Sequence, residues 1–309
     1  LLRIREEHEV AVLEMGISDF GEMHRLSRMA QPDICVLTNI GQSHLNNLKS
    51  REGILKAKSE IFDFMAEDGY VCVNGDDDLL ATLDTVKGRA VLRFGLAKEG
   101  NHIYATEIEN KGMAGSRARI CERESGVSYP VEITLPGRHM VLNATAAAMV
   151  AGLLGLSREE IQEGLSHVEA VGGRSHVIST TQYTLIDDCY NANPVSMKAA
   201  LDLLQSALTR KVAVLGDMFN LGENSDEMHR GVGRYAIESG VDVLLCVGEN
   251  AKYLYDAALN VSDGTVEICY FNTLEELLTK LPVLLLPQDT VLIKASHDMH
   301  FAEVLKALE

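Results

Sequence analysis

Ile34-Cys35-Val36-Leu37-Thr38-Asn39-Ile40-Gly41-Gln42-Ser43-His44 runs from an unbroken apolar tetrad into polar, glycine-containing chain. Four apolar residues without alternation read as a strand buried on both faces, the pattern of a parallel sheet covered by helices. Two similar runs flank it: residues 10–13, closed by Glu14-Met15-Gly16, and residues 70–73, closed by Asn74-Gly75-Asp76. Helical periodicity fills residues 22–30 and 51–65 between them. Strands alternating with helices predict βαβ units and an α/β first half.

After about Gly95 the pattern changes to short antiparallel strands over 102–109, 118–122 and 129–135, then to helices over 140–154 and 158–168. Ser157-Arg158-Glu159-Glu160 has capping-box spacing, with the Ser at the cap and Glu160 three residues on. Near Val171-Gly172-Gly173-Arg174 the periodicity restarts. Strands are expected over 177–187, 212–215, 243–247, 268–271 and 291–294. Helices are expected over 195–208, 226–239, 251–259 and 274–281, with a last one from about Met299. That is a second, doubly wound unit. The expected division is 1–173 and 174–309, with the boundary at 172–176.

The 309 residues carry 28 Lys+Arg against 45 Asp+Glu, a net charge of −17, with 46% hydrophobic residues. Such a balance opposes general nucleic-acid binding, which needs a basic field. No apolar run reaches the roughly 20 residues of a membrane span, and no secretory pattern stands at the start. The six cysteines (35, 72, 121, 189, 246 and 269) are far apart and mostly lie in apolar runs, as expected of reduced thiols in a cytoplasmic protein. The chain begins at Leu1 and leads directly into an expected strand, which reads as a piece of a longer protein.

In open α/β sheets, ligands bind beyond the carboxyl ends of the strands. In the first half those ends carry Glu14, Thr38, Asn39 and Asp76, with His44 close behind. A carboxylate and an imidazole on neighbouring ends can share a cation, although an end-of-strand Glu more often caps or faces water. On the helix over 51–65, Ile54, Lys58, Ile61, Phe62 and Met65 share one face. Lys58 therefore either runs along the apolar stripe to water or is a partly buried amine. Burial lowers a lysine's pKa, and the neutral amine can capture carbon dioxide as a carbamate, a hard oxygen ligand.

Leu13-Glu14-Met15-Gly16, Gly21-Glu22, Thr38-Asn39-Ile40-Gly41-x-x-His44 and Lys56-Ala57-Lys58-Ser59-Glu60-Ile61-Phe62 together resemble the central domain of the Mur ligases. The resemblance continues through Leu135-Pro136-Gly137-Arg138-His139, Asn143 and Gly173-Arg174. It extends to Asp187-Asp188-Cys189-Tyr190-Asn191-Ala192-Asn193-Pro194 and Leu215-Gly216-Asp217-Met218, and so covers essentially the whole chain. It implies a central ATP-binding domain, mostly parallel with a small antiparallel portion, followed by a Rossmann-like domain. It also implies an ATP-dependent amide ligase that works through an acyl phosphate, with Mg²⁺ offsetting the repulsion between two anions.

The Tyr190–Pro194 run favours the family members that add D-alanyl-D-alanine to UDP-N-acetylmuramoyl-tripeptide in peptidoglycan synthesis. By resemblance, Glu14, His44 and carbamylated Lys58 support Mg²⁺ and are the catalytic set. Asn143 contacts adenine, with His139 one turn before it. Arg174 and Asp188 hold ATP, and Asn39 is a further nucleotide or phosphate contact. Tyr190, Asn191 and Asn193 line the cleft, and His297 stands at the dipeptide-carboxylate position. A monomer is expected. His24, His167, His176 and His229 have no motif support and are expected at the surface.

The chain contains no G-x-x-x-x-G-K-[ST] run and no Gly-Lys pair. The family's phosphate loop and sugar-binding domain would precede Leu1, so these residues alone are expected not to complete ligation. Three positions depart from the family pattern: Cys189 for Ser, Asn220 for Glu, and Lys294-Ala295-Ser296-His297 for Lys-Gly-Ser-Arg. A neutral His lacks the guanidinium fork that grips an anion. The competing readings are an amide ligase with another amine donor, such as a folylpolyglutamate synthase relative, and a non-catalytic nucleotide-binding module.

Overall fold

The computed structural model describes residues 4–42 and 44–309; residues 1–3 and Ser43 lie outside the described residues. The first half contains α1 (Glu22–Ala30), β1 (Ile34–Leu37), α2 (Leu45–Leu48), α3 (Arg51–Ser59), β2 (Tyr70–Asn74), β3 (Thr85–Val86), β4 (Arg89–Ala90), β5 (Leu92–Gly95), β6 (Ile103–Asn110), β7 (Ser116–Glu122), β8 (Ser128–Ile133), α4 (Arg138–Leu153) and α5 (Arg158–Ser166). Its sheet has the order β1-β2-β5-β6-β7-β8. The β1 to β6 pairings are parallel and the last two antiparallel. Alternate residues of β2 divide the core: Cys72 packs on the α4 side, and Val71 and Val73 on the α1 and α3 side. Both faces are covered, which is why β1 and β2 read as continuous apolar runs. The capping box at Ser157 and Glu160 is formed.

The second half contains β9 (His176–Ser179), β10 (Thr184–Asp187), α6 (Pro194–Gln205), β11 (Lys211–Gly216), α7 (Ser225–Glu238), β12 (Val243–Val247), α8 (Ala251–Val261), β13 (Glu267–Phe271), α9 (Leu274–Leu284), β14 (Thr290–Lys294) and α10 (Ala302–Leu308). The sheet order is β13-β12-β11-β14-β10-β9, with only β9 antiparallel. Helices α6, α7 and α8 pack on one face, and α9 and α10 on the other. No helix among the described residues is long and apolar enough to cross a membrane.

Three expectations change. Residues 10–13 form no strand: Val10, Val12 and Leu13 are exposed, and the segment has no ladder partner for its peptide groups. The strand expected over 177–187 is a hairpin, because Thr180 folds back to bond the Tyr183 carbonyl and reverses the chain between β9 and β10. The helix expected over 51–65 is α-helical only to Ser59, then tightens into a 3-10 turn, Glu60–Phe62.

The two halves touch at several points. Met113, in the turn between β6 and β7, packs against the α6–α8 core of the second half. A Cβ built on Gly222 would lie 3.5 Å from the Asn46 side chain of α2.

Candidate functional site

The chain leaving β1 is held by three side chains acting on its backbone. Lys58 Nζ donates to the Asn39 carbonyl at 2.8 Å. The Ile40 N–H donates to Asp77 Oδ2 at 2.8 Å. The Ile40 carbonyl accepts from Arg51 Nε and Nη2 at 3.2 and 3.1 Å, while the same guanidinium grips Asp78. Asp77 also accepts from the Leu79 and Leu80 amides, which fixes its carboxylate at the end of β2. Ile40 is buried beneath this clamp, whereas Thr38 and Asn39 stay exposed. Lys58 is half-buried, and burial holds its ammonium below the usual lysine range, against the opposing charge of Asp77. Its amine thus meets a carbonyl at the rim of the stripe rather than open water.

The second sheet gathers its chemistry where β11, β14 and β10 lie side by side. Lys294, the last residue of β14, has a side chain only 2% exposed. It donates to Asp188 Oδ2 at 2.7 Å and to the Asn191 carbonyl at 2.9 Å, which fastens the loop after β10. Ser296, two residues on, fastens the loop after β11: its N–H donates to the Asp217 carbonyl and its Oγ accepts from the Phe219 N–H. The Asp217 carboxylate is buried and accepts from the Ala251 N–H at the start of α8, a favourable place for an anion. Gly248 leaves the room it needs, since a Cβ there would lie 2.6 Å from Asp217 Oδ1.

Asp187 and Asp188 also tie down the chain between the halves. Asp187 Oδ2 accepts from the Gly173 N–H and Asp188 Oδ1 from the Ser175 N–H, at 2.7 and 2.8 Å. Arg174 is thereby placed over Tyr190, with its guanidinium 4.1 Å from the ring centroid. The His297 ring lies on the same tyrosine at 5.9 Å, tilted by 54°. Arg174 Nη2 also meets Glu14 Oε1 at 3.4 Å; the Glu14 side chain is 84% exposed.

The expected site residues thus fall into separate groups. Lys58 and Asn39 are in contact. Arg174, Glu14, Tyr190 and His297 form a second set, and Asp188 is paired with the buried Lys294. His139, in the first turn of α4, feels both Asp188 and Lys294, and burial keeps its ring below the usual histidine pKa. Asn143 lies one turn on and is exposed. Asn191 is exposed, its carbonyl taken by Lys294. Asn193 caps α6, accepting from the Ser196 N–H at 2.9 Å. His44 occupies the left-handed position before α2. Among the described residues no three His, Cys, Asp or Glu side chains converge as a metal cluster. Glu14, His44 and Lys58 are not linked to one another by hydrogen bonds.

His229 contradicts its expected surface position. It is fully buried on α7, inside the apolar stripe that packs against α6 and α8. Asp77, Lys294, Asp217 and Ser296 organise the strand ends; Asp77 has no place in the sequence reading, and the other three stand there only inside quoted motifs, without a role. The signal for Lys294 was available: a lysine closing a run of buried strand residues needs a carboxylate partner. Of the departures, Asn220 sits at φ 62°, where Asn is tolerated better than Glu. Burial pushes the Cys189 thiol up to about 12, so it stays protonated.

Comparison with known proteins gives consistent matches. Residues 1–151 match the Mur ligase middle domain, and residues 173–297 match the Mur ligase glutamate ligase domain. The UDP-N-acetylmuramoyl-tripeptide–D-alanyl-D-alanine ligase of Escherichia coli (strain K12) is 33% identical over 313 residues, covering 100% of this chain and 67% of the relative. A crystal structure of MurF from Acinetobacter baumannii superposes with a TM-score of 0.87 at 34% identity, covering 99% of this chain and 66% of that one. The MurF ligase of Thermotoga maritima, solved in complex with ADP, superposes with a TM-score of 0.79 at 26% identity, covering 94% of this chain and 64% of that one. The chain spans about two thirds of the length of the relatives it matches.

Proposed function

The chain belongs to the Mur ligase family, and we propose that it supplies the nucleotide-handling and amine-handling parts of a ligase that joins D-alanyl-D-alanine to UDP-N-acetylmuramoyl-tripeptide. The observation that carries this reading is the similarity to such ligases over the whole chain, both sheets included.

In this reaction a substrate carboxylate oxygen attacks the γ-phosphorus of ATP, and ADP leaves. The dipeptide amine then attacks the acyl carbon of the acyl phosphate, loses a proton, and expels phosphate. The exposed Asn143, with His139 beside it, presents a polar face of α4 to a base. Arg174 offers a guanidinium for a phosphate, pre-oriented by Tyr190. Tyr190, Asn191 and His297 border the place for the incoming amine. Asp188 acts through Lys294 to hold that border in position.

Mg²⁺, when bound, offsets the repulsion between the reacting anions. The donors fit it in kind: Glu14 supplies an exposed carboxylate now shared with Arg174, His44 an imidazole, and Lys58 an amine whose burial favours the neutral form. A neutral Lys58 attacks carbon dioxide through Nζ and releases one proton to solvent. The product is an anionic oxygen ligand of the type Mg²⁺ prefers, and its remaining N–H still reaches the Asn39 carbonyl.

The test is product analysis for the chain joined to the upstream third that its relatives possess. With ATP, Mg²⁺ and the UDP-tripeptide, ADP and the UDP-pentapeptide are expected only when D-alanyl-D-alanine is present. Equal turnover with glutamate as the amine donor would instead support the folylpolyglutamate-type reading. Nucleotide binding without any amide product would support a binding module.

A further inference from the structure

His229 lies outside every group of residues discussed for the reaction, yet it is the largest polar side chain buried in α7. Its two ring nitrogens have distinct partners. Nδ1 faces the Ser225 carbonyl oxygen at 2.6 Å, so Nδ1 carries the proton. Nε2 then has a lone pair, which accepts from the Met218 N–H at 3.0 Å. Met218 follows Asp217 in the loop leaving β11, and the residues on either side of it are held by Ser296. Beyond them the chain turns at Asn220, with φ 62°, and at Gly222, with φ 78°. Leu221 is buried between these turns, and the turn from Gly222 packs against α2, the helix that begins after His44, with room for a Cβ on Gly222 at 3.5 Å from Asn46. The loop is therefore a strut running from the end of β11 to the first half.

We propose that His229 is a positioning residue: its neutral, Nδ1-protonated ring holds the 217–222 strut against α2, and protonation at Nε2 releases it. Protonation does more than remove an acceptor, because it sets the Nε2–H against the Met218 N–H, two donors face to face. The charges that act on the ring are the carboxylates of Asp217, at the end of β11, and Asp226, beside Ser225. Both favour the protonated ring, and burial outweighs them. The other elements packed on α7 direct their charges elsewhere. Lys198 and Asp202 of α6 engage Tyr235, Lys252 of α8 pairs with Asp256, and Glu223 is exposed. The proposal rests on the loop geometry and stands whether or not the ligase reading does.

Hydrogen–deuterium exchange of this chain tests it. After correction for intrinsic rates, protection of the Met218 and Phe219 amides is expected to fall about tenfold between about pH 7.5 and about pH 5.5. Segment 44–49 should loosen with them, while β12 (Val243–Val247) keeps its protection. His229→Gln offers a carbonyl acceptor that does not titrate, and its loop protection should not change with pH. A loop equally pH-dependent in His229→Gln, or wild-type protection independent of pH, would overturn the proposal. So would loss of β12 protection in the same step. ¹⁵N NMR of the wild-type ring gives a second measurement that needs no variant. An Nδ1–H tautomer whose titration midpoint coincides with loop release supports the proposal, and an Nε2–H tautomer refutes it.

Discussion

Two lysines close the two sheets in opposite ways. Lys58 is half-buried and reaches only the backbone carbonyl of Asn39, whose own side chain, like that of Thr38 before it, stays open to solvent. Lys294 is almost wholly buried, pairs with Asp188, and spends its remaining contacts on the carbonyls of the loop it fastens. A buried ammonium is tolerable only with a counter-charge and full hydrogen bonding. Lys294 has both, whereas Lys58 has a hydrogen bond but no contacting carboxylate. The first strand-end region thus keeps a lysine that burial holds below the usual lysine range and that no carboxylate contacts. The second uses its lysine as scaffold and presents Tyr190, Arg174 and His297 around it.

The sharpest way to break this contrast is to remove the ammonium from each place. Lys294→Met leaves the partly buried Asp188 without its cationic partner, although the Ser175 N–H remains, and should cost about 3 kcal/mol. A urea titration followed by hydrogen exchange in the second sheet would measure it. A loss below about 1 kcal/mol would show that Asp188 finds another partner. Next in size is Gly248→Ala. Its Cβ would press on the Asp217 carboxylate at a backbone with φ 113°, and a loss of about 2–3 kcal/mol is expected in the same titration.

Smaller again is the pH dependence. Burial holds the His139 and His229 rings below the ordinary histidine value. As pH falls through about 6.5, the unfolded chain takes up protons that the folded rings refuse, so the native state loses stability. The urea midpoint should therefore fall from about pH 7 toward about pH 5.5, and His229→Gln should flatten part of that slope. A midpoint that rises on acidification would reverse the assignment. Least of all in stability is Lys58→Met, expected within about 0.5 kcal/mol of wild type because the apolar stripe accepts the change. In the full-length ligase of the proposed function, the same variant should nonetheless abolish formation of the UDP-pentapeptide.

Much of this contrast was legible in the sequence, and the rest was hidden for physical reasons. Helix α1 and strands β1 and β12 follow from local pattern, since both faces of the strands are buried and turn residues close them. The Lys58 stripe was legible too, because helical spacing alone places it among Ile54, Ile61 and Phe62. Residues 10–13 have the same apolar character as β1 but no ladder partner, and pairing is not a local property. The Lys294–Asp188 pair joins residues 106 apart in sequence, through strands that become neighbours only because β14 inserts between β11 and β10. His229 was misplaced because helical phase puts it on the buried face, and a polar residue there is legible only once its partners, Ser225 and Met218, are known.

The central claim is that Lys58 is chemically available and Lys294 is not. Its most direct test is ¹³C NMR of the chain in ¹³C-bicarbonate, which reports a lysine carbamate without any need for turnover. The account predicts one carbamate resonance that persists in His229→Gln and disappears in Lys58→Ala. A resonance that survives Lys58→Ala, or none at saturating bicarbonate with Mg²⁺ and ADP present, would contradict it.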